Sequence, residues 1–164
     1  MNDSQFIAEE LHRALRGDAQ GDAWHGPSVS KVLQGVTAAM ASARPIANAH
    51  SIWEITLHLA GWVGEVQKRL RGGEPGLPPD GDWPEQGEGD AAWERTLQAL
   101  REAHENLIAE VEAFPDVRWD EFVGVRDAPL GTDVSLRAMV HGIVQHDAYH
   151  GGQIMILKKA LESH

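Results

Sequence analysis

The chain contains no cysteine. That excludes disulfides, thiolate metal sites and a cysteine nucleophile, and it is consistent with a cytoplasmic protein. No apolar run approaches the roughly 20 residues that cross a bilayer, so no membrane partner is expected. The N-terminal Met-Asn-Asp-Ser-Gln has neither a basic n-region nor an apolar h-region, so no signal peptide is expected. Basic charge is scarce: 14 Lys and Arg face 25 Asp and Glu, for a net charge of −11. Nucleic-acid binding needs a basic stripe against phosphates, and this composition argues against one. The single basic cluster, Lys68-Arg69-Leu70-Arg71, falls at a predicted helix end, where positive charge complements the helix dipole. The nucleophile elbow, the Walker loop and the dinucleotide glycine fingerprint are all missing. So is His-Glu-x-x-His: Asp147 stands where the zincin glutamate would be, and a zinc-peptidase mechanism lacks its base. Convincing strands, repeats and low-complexity tracts are absent as well.

What remains is a chain of 164 residues, 42% hydrophobic and 24% charged, enough for one domain with a real core. Apolar residues recur at three-four spacing in four long segments. The first predicted helix covers about residues 4 to 17, capped by Asp3 or Ser4, with Phe6, Ile7, Leu11, Ala14 and Leu15 inward and Gly17 as the stop. Two short helices follow in the first crossing, residues 29 to 34 capped by Ser28 and residues 38 to 42 capped by Thr37. A long helix over residues 51 to 70 opens on a Ser51–Glu54 capping box and buries Ile52, Ile55, Leu59, Trp62, Val66 and Leu70. Residues 74 to 89 are dense in Pro, Gly and acid and read as an exposed loop with Trp83 as a local anchor. The third long helix covers residues 91 to 113, with Trp93, Leu97, Leu100, Leu107 and Val111 inward. Residues 117 to 132 form another long connection, with Trp119 and Phe122 folding over one bundle end. Asp133 is expected to cap the last helix, which runs to about residue 161. The fold class is all-α, a four-helix bundle whose two long crossings permit parallel neighbours.

The last helix carries the residues that matter most. Four residues turn a helix by about 400°, so His146 and His150 share one face. They fall in the seam Met139, Ile143, 146, 150, Ile154, Leu157, where leucine would pack better. Spacing alone leaves two readings open: a metal-binding pair, or core histidines each satisfied by a hydrogen bond. His58, flanked by apolar residues in mid-helix, shifts the balance towards metal. Three neutral imidazoles with water in the remaining positions make a catalytic type of site, and zinc, nickel or iron would accept them. Gly61, Gly142, Gly151 and Gly152 lie near these histidines. Each glycine costs about 1 kcal/mol against alanine within a helix, which points to room for a ligand or, alternatively, to close helix packing. Gln153 could hydrogen-bond a ligand or serve as a polar core residue. Asp147 and Glu54 are candidates for orienting an imidazole N–H or acting as a base. His50 is too far along its helix from His58 to share an ion and reads as a helix-start residue. His141 points about 140° away from His146 and is expected to be structural. His12, His25, His104 and His164 have no matching partner and are expected at the surface. Tyr149 covers the site or faces outward.

At these residues the sequence resembles the DinB-like family of four-helix-bundle proteins, related to YfiT-type proteins classed as metal-dependent hydrolases. The resemblance rests on His50-Ser51-Ile52-Trp53-Glu54 through His58-Leu59-Ala60-Gly61-Trp62. It rests also on His141-Gly142-Ile143 through His146-Asp147-Ala148-Tyr149-His150-Gly151-Gly152-Gln153-Ile154, and on Asp22-Ala23-Trp24-His25-Gly26-Pro27-Ser28. It implies an up-down-down-up bundle, often a homodimer, with His58, His146 and His150 as ligands to zinc or nickel. Relatives include S-transferases and isomerases that use low-molecular-weight thiols such as bacillithiol or mycothiol. The expected activity is therefore a thiol-dependent S-transferase or a hydrolase on a small-molecule substrate. The alternative is a non-catalytic metal- or ligand-binding stress-response module.

Overall fold

The computed structural model describes residues 2–124 and 133–162. Six helices are present among them: α1 (Asp3–Arg16), α2 (Val29–Leu33), α3 (Ala38–Ser42), α4 (Ile52–Leu70), α5 (Asp90–Glu112) and α6 (Leu136–Glu162). A short 3-10 turn, Asp116–Arg118, follows α5. The first crossing also holds an antiparallel strand pair that the periodicity did not predict, β1 (Asp22–Ala23) with β2 (Gly26–Pro27). At two residues each, these strands are too short to give an alternating pattern.

The caps explain most helix starts. Ser28 and Thr37 accept from the backbones of Lys31 and Met40, and Ser51 and Glu54 form the expected capping box. Two starts differ from expectation. The α1 cap is Asn2, boxed with Gln5. Ser4 is buried instead, its Oγ 2.6 Å from the Phe114 carbonyl and accepting from Trp119 Nε1 at 2.9 Å. At the start of α6 Asp133 lies outside the helix at φ +62°, and Ser135 Oγ accepts from Ala138 N at 3.1 Å. Phe6 is half exposed rather than inward, because the positions four and seven residues on are Glu10 and Arg13. Trp119 closes one end of the bundle, but Phe122 is exposed and makes only a backbone bridge to Ser135. The later part of the predicted connection, residues 125–132, and His164 lie outside the described residues.

Pairwise contacts set the helix directions. Ser4 at the start of α1 meets Phe114 just past the end of α5, so these helices are antiparallel. Trp53 Nε1 donates to Thr96 Oγ1 at 2.9 Å near the starts of α4 and α5, and Gln67 reaches Glu110 at 3.4 Å near their ends. Those two helices are parallel. Ile55 shares a cavity with Leu157, and Val66 with Met139, so α4 and α6 are antiparallel. Arg137 pairs with Asp3 at 2.7 Å and His141 with Glu10 at 3.0 Å, so α6 runs parallel to α1. The order is up-down-down-up.

The loop after α4 folds back on the bundle instead of standing free. Buried Glu65 holds Lys68 at 2.6 Å, Arg69 at 2.8 Å and the backbone N–H of Gly76 at 2.7 Å. Arg71 pairs with Glu110 at 2.8 Å. Arg69 and Glu65 thus fix the following loop at Gly76, while Arg71 ties the end of α4 to α5. Further along, Pro78 packs on Gly61, where a Cβ would lie 3.1 Å from the proline ring. That glycine makes room for the loop.

The core falls into two apolar clusters. One contains Leu11, Val63, Leu107, Val140 and Ile143; the other contains Leu15, Leu59, Leu100, Ile154 and Leu157. Between them in sequence register, on α5 and α6, lie His104, Asp147 and His150, all buried. His104 was expected at the surface and is instead 0% exposed. It completes the spacing 93, 97, 100, 104, 107, 111 along α5. Its Nε2 meets Asp147 Oδ2 at 3.0 Å and its Nδ1 meets the Leu100 carbonyl at 3.0 Å.

Removing one member of such a pair leaves the other buried alone. His104→Ala should lower stability by about 3–5 kcal/mol, whereas the double change His104→Leu, Asp147→Leu should recover most of it. Urea unfolding of the single and double variants measures both.

Candidate metal centre

Two elements converge at mid-height of the bundle. His58 projects from α4, and His146 and His150 from one face of α6. One ligating nitrogen from each lies within 4.8 Å of the other two. The ring centroids are 4.5 to 4.9 Å apart. His58 and His150 are buried, and His146 is partly so.

Each buried ring has one nitrogen occupied from outside the trio. His58 Nδ1 lies 2.6 Å from the Asp82 carbonyl, so that nitrogen carries the proton and donates. The Asp82 side chain reinforces it at 3.2 Å and accepts from Trp62 Nε1 at 2.7 Å. His150 Nδ1 lies 2.6 Å from Gln153 Oε1, which fixes the same tautomer. With Nδ1 protonated, each Nε2 keeps its lone pair. His58 Nε2 and His146 Nε2 are 2.9 Å apart.

The electrostatics disfavour charge on the two α6 rings. Burial, then the neighbouring rings of His150 and His58, push the His146 pKa down from 6.5 to about 3. Burial likewise lowers His150, with the Gln153 hydrogen bond opposing and the neighbouring His58 ring adding to it. Neutral imidazoles are the right donors for a borderline cation. Zinc–nitrogen bonds of about 2.0–2.1 Å would set two tetrahedral nitrogens about 3.4 Å apart, a spacing within the spread of the trio. The three residues fit a metal ion, and they could hold one.

An aromatic wall closes one side. Trp83 stacks on His58 at 3.9 Å and on His50 at 3.6 Å, so its indole is sandwiched between two imidazoles. Tyr149 is exposed and sets its edge against His150 at 4.9 Å.

The remaining sequence candidates fall elsewhere. Glu54 is engaged at the α4 start, with Ser51 N at 2.9 Å, Arg44 at 2.5 Å and His50 at 3.3 Å. Asp147 does orient an imidazole, but that of His104, away from the trio. Gln153 orients His150. His50 is not one of the trio; it stacks on Trp83 and borders the cavity beside His150. His141 pairs with Glu10, and His12 and His25 are exposed. Of the glycines, Gly142 fronts open space beside His146, and a Cβ at Gly151 or Gly152 would meet nothing within 4 Å.

Sequence reasoning missed Asp82 and the stacking role of Trp83. Asp82 acts chiefly through its carbonyl, which carries no residue-type signal. A tryptophan in a Pro/Gly loop was the only hint. His104 was within reach of the heptad spacing.

These helices and the imidazole cluster on the α4–α6 face define the class: an all-α bundle with a three-histidine centre. The chain belongs to the DinB superfamily, whose family model matches residues 24–154. Comparison with curated proteins and with solved structures returns no match.

The lowered pKa values give the metal-free protein a defined acid response. As pH falls below the ordinary histidine value of 6.5, the unfolded chain takes up protons that native His146 and His150 refuse, so stability falls. His104 works the opposite way. Burial disfavours its charge, but Asp147 raises its pKa overall, so its contribution is full below 6.5 and fades as pH rises through the raised value. The urea midpoint of chelator-treated protein should decline from pH 6.5 to pH 5, and His146→Gln should flatten that decline.

Proposed function

We propose that His58, His146 and His150 hold one divalent cation, zinc or nickel, and that the protein is a metal-dependent enzyme acting on a small-molecule substrate. The reading rests on one observation: three imidazole nitrogens converge within 4.8 Å of one another. A bound cation would supply Lewis-acid chemistry, lowering the pKa of a thiol or water placed against it. The chain's own residues prepare the site. Asp82 and Gln153 hold two Nδ1–H groups, which leaves both Nε2 lone pairs available to a cation. Trp83 shields the His58 ring from water.

Thiol-dependent S-transfer is the preferred reaction, with a low-molecular-weight thiol as second substrate. Hydrolysis is the weaker variant, because Glu54 and Asp147, the candidate bases, are engaged with Arg44 and His104. A cytoplasmic homodimer of single-domain chains without nucleic-acid partners completes the proposal. A non-catalytic metal- or ligand-binding module in a stress response is the competing reading. The deep burial of His58 and His150, 6% and 4% exposed, favours that alternative.

Protein purified without a histidine tag should contain close to one equivalent of metal by elemental analysis. His58→Ala, His146→Ala and His150→Ala should each lose it, while His50→Ala retains it. Loss in His50→Ala would mean the ligand assignment is wrong. Gln153→Ala should weaken metal affinity about 10–100-fold, as for other groups that orient a ligating imidazole. Zinc- or nickel-loaded protein should conjugate a thiol to an electrophile faster than it hydrolyses esters or amides. A fully loaded site with no turnover of either kind would favour the binding module.

A further inference from the structure

The groove between α4 and α6 contains two cavities, one on each side of the histidine trio. The first, of about 520 Å³, is lined by Asn48, His50, Trp83, Tyr149, His150 and Gln153, among others. The second, of about 500 Å³, is lined by His58, Trp62, Val66, Met139, Ile143 and His146, among others. Among the described residues none lines both. Their order along α6 places them on opposite sides: positions 142, 143 and 146 border the second cavity, and positions 149, 150 and 153 border the first. The Asp82–Trp83 strap crosses the groove at the level of the trio. Asp82 borders the second cavity and Trp83 the first, so the strap is the partition between them.

The two cavities differ in chemistry. Among the described residues no Asp, Glu, Lys or Arg lines the first, which interleaves the amides of Asn48 and Gln153, the His50 ring and Tyr149 with aliphatic side chains. It suits a neutral ligand rich in hydroxyl or amide groups. The described lining of the second is mostly aliphatic and aromatic. Of its charged members, Arg69 is engaged with Glu65, and Asp82 with Trp62 and His58. It suits a flat apolar ligand. Both cavities end on imidazoles of the same trio.

We propose that the centre takes two ligands at once from opposite sides, a neutral polar one against His150 and an apolar one against His58 and His146. This rests on the metal-centre reading above and extends it: the cavities provide for two organic reactants that meet at the trio, rather than for one substrate and water.

The test uses zinc-loaded protein with ¹⁵N-labelled tryptophan, because each cavity has its own indole reporter. The probes are 1-thioglycerol and phenol; only the first brings a thiol, so the two do not contend for one open position on the zinc. Thioglycerol should shift the Trp83 indole N–H signal and phenol that of Trp62, and each should still bind when the other is saturating. Gly142→Phe adds a ring on the wall of the second cavity, where a Cβ meets nothing within 4 Å. It should weaken phenol about tenfold or more and leave thioglycerol unchanged. Mutual competition, the same indole shifted by both probes, or no shift with either would overturn the inference. Zinc content measured on the same sample reports separately on the metal reading. Should zinc not bind, glycerol and phenol on the metal-free protein pose the same question of the cavities, judged by the same shifts.

Discussion

A buried imidazole must have both ring nitrogens accounted for, and this bundle places several of them at one level. Each unsatisfied ring nitrogen in an apolar core would cost about 1–3 kcal/mol. His104 meets the demand internally, with the Leu100 carbonyl on one nitrogen and Asp147 on the other. His58 and His150 meet half of it, through Asp82 and Gln153, and His58 turns its second nitrogen towards His146. What sets His104 apart from the trio is which nitrogens the protein satisfies. Asp147 Oδ1 is buried without a hydrogen-bond partner, a further sign that this level of the core is under polar constraint.

The loop after α4 follows from the same constraint. It is anchored at one end by buried Glu65 and Arg69 through Gly76, then by Pro78 against Gly61, before Asp82 and Trp83 reach the trio. None of these anchors touches the trio, yet together they bring one carbonyl within 2.6 Å of His58. A donor set of nitrogen alone, inside a chain of net charge −11, also bears on metal choice. Hard cations such as magnesium and calcium take oxygen ligands, whereas imidazole suits zinc and nickel.

The helices, their caps at Ser28, Thr37 and Ser51, and the His146–His150 pair could be read from residue order, because each depends on local spacing; His58 joined them through its apolar flanks and the family resemblance. Three-four apolar periodicity needs only neighbours within two turns, and a capping box needs only four residues. The α6 seam was misplaced by one position: Asp147, not His146, continues the spacing 143, 147, 150, 154, 157. Polar residues on both candidate seams hid the difference, and only the approach of His104 from α5 resolves it.

By itself, then, the order of residues determined an all-α bundle with three imidazoles on two helices. Which nitrogen of each ring faces inward, which loop closes over them, and that the groove is parted into two cavities were decided by tertiary structure. The reason is physical. A backbone carbonyl has no side-chain identity to read, and a stack such as His50, Trp83 and His58 joins a loop tryptophan to helix-side imidazoles 33 and 25 positions earlier. Only packing brings such groups within hydrogen-bonding and van der Waals reach.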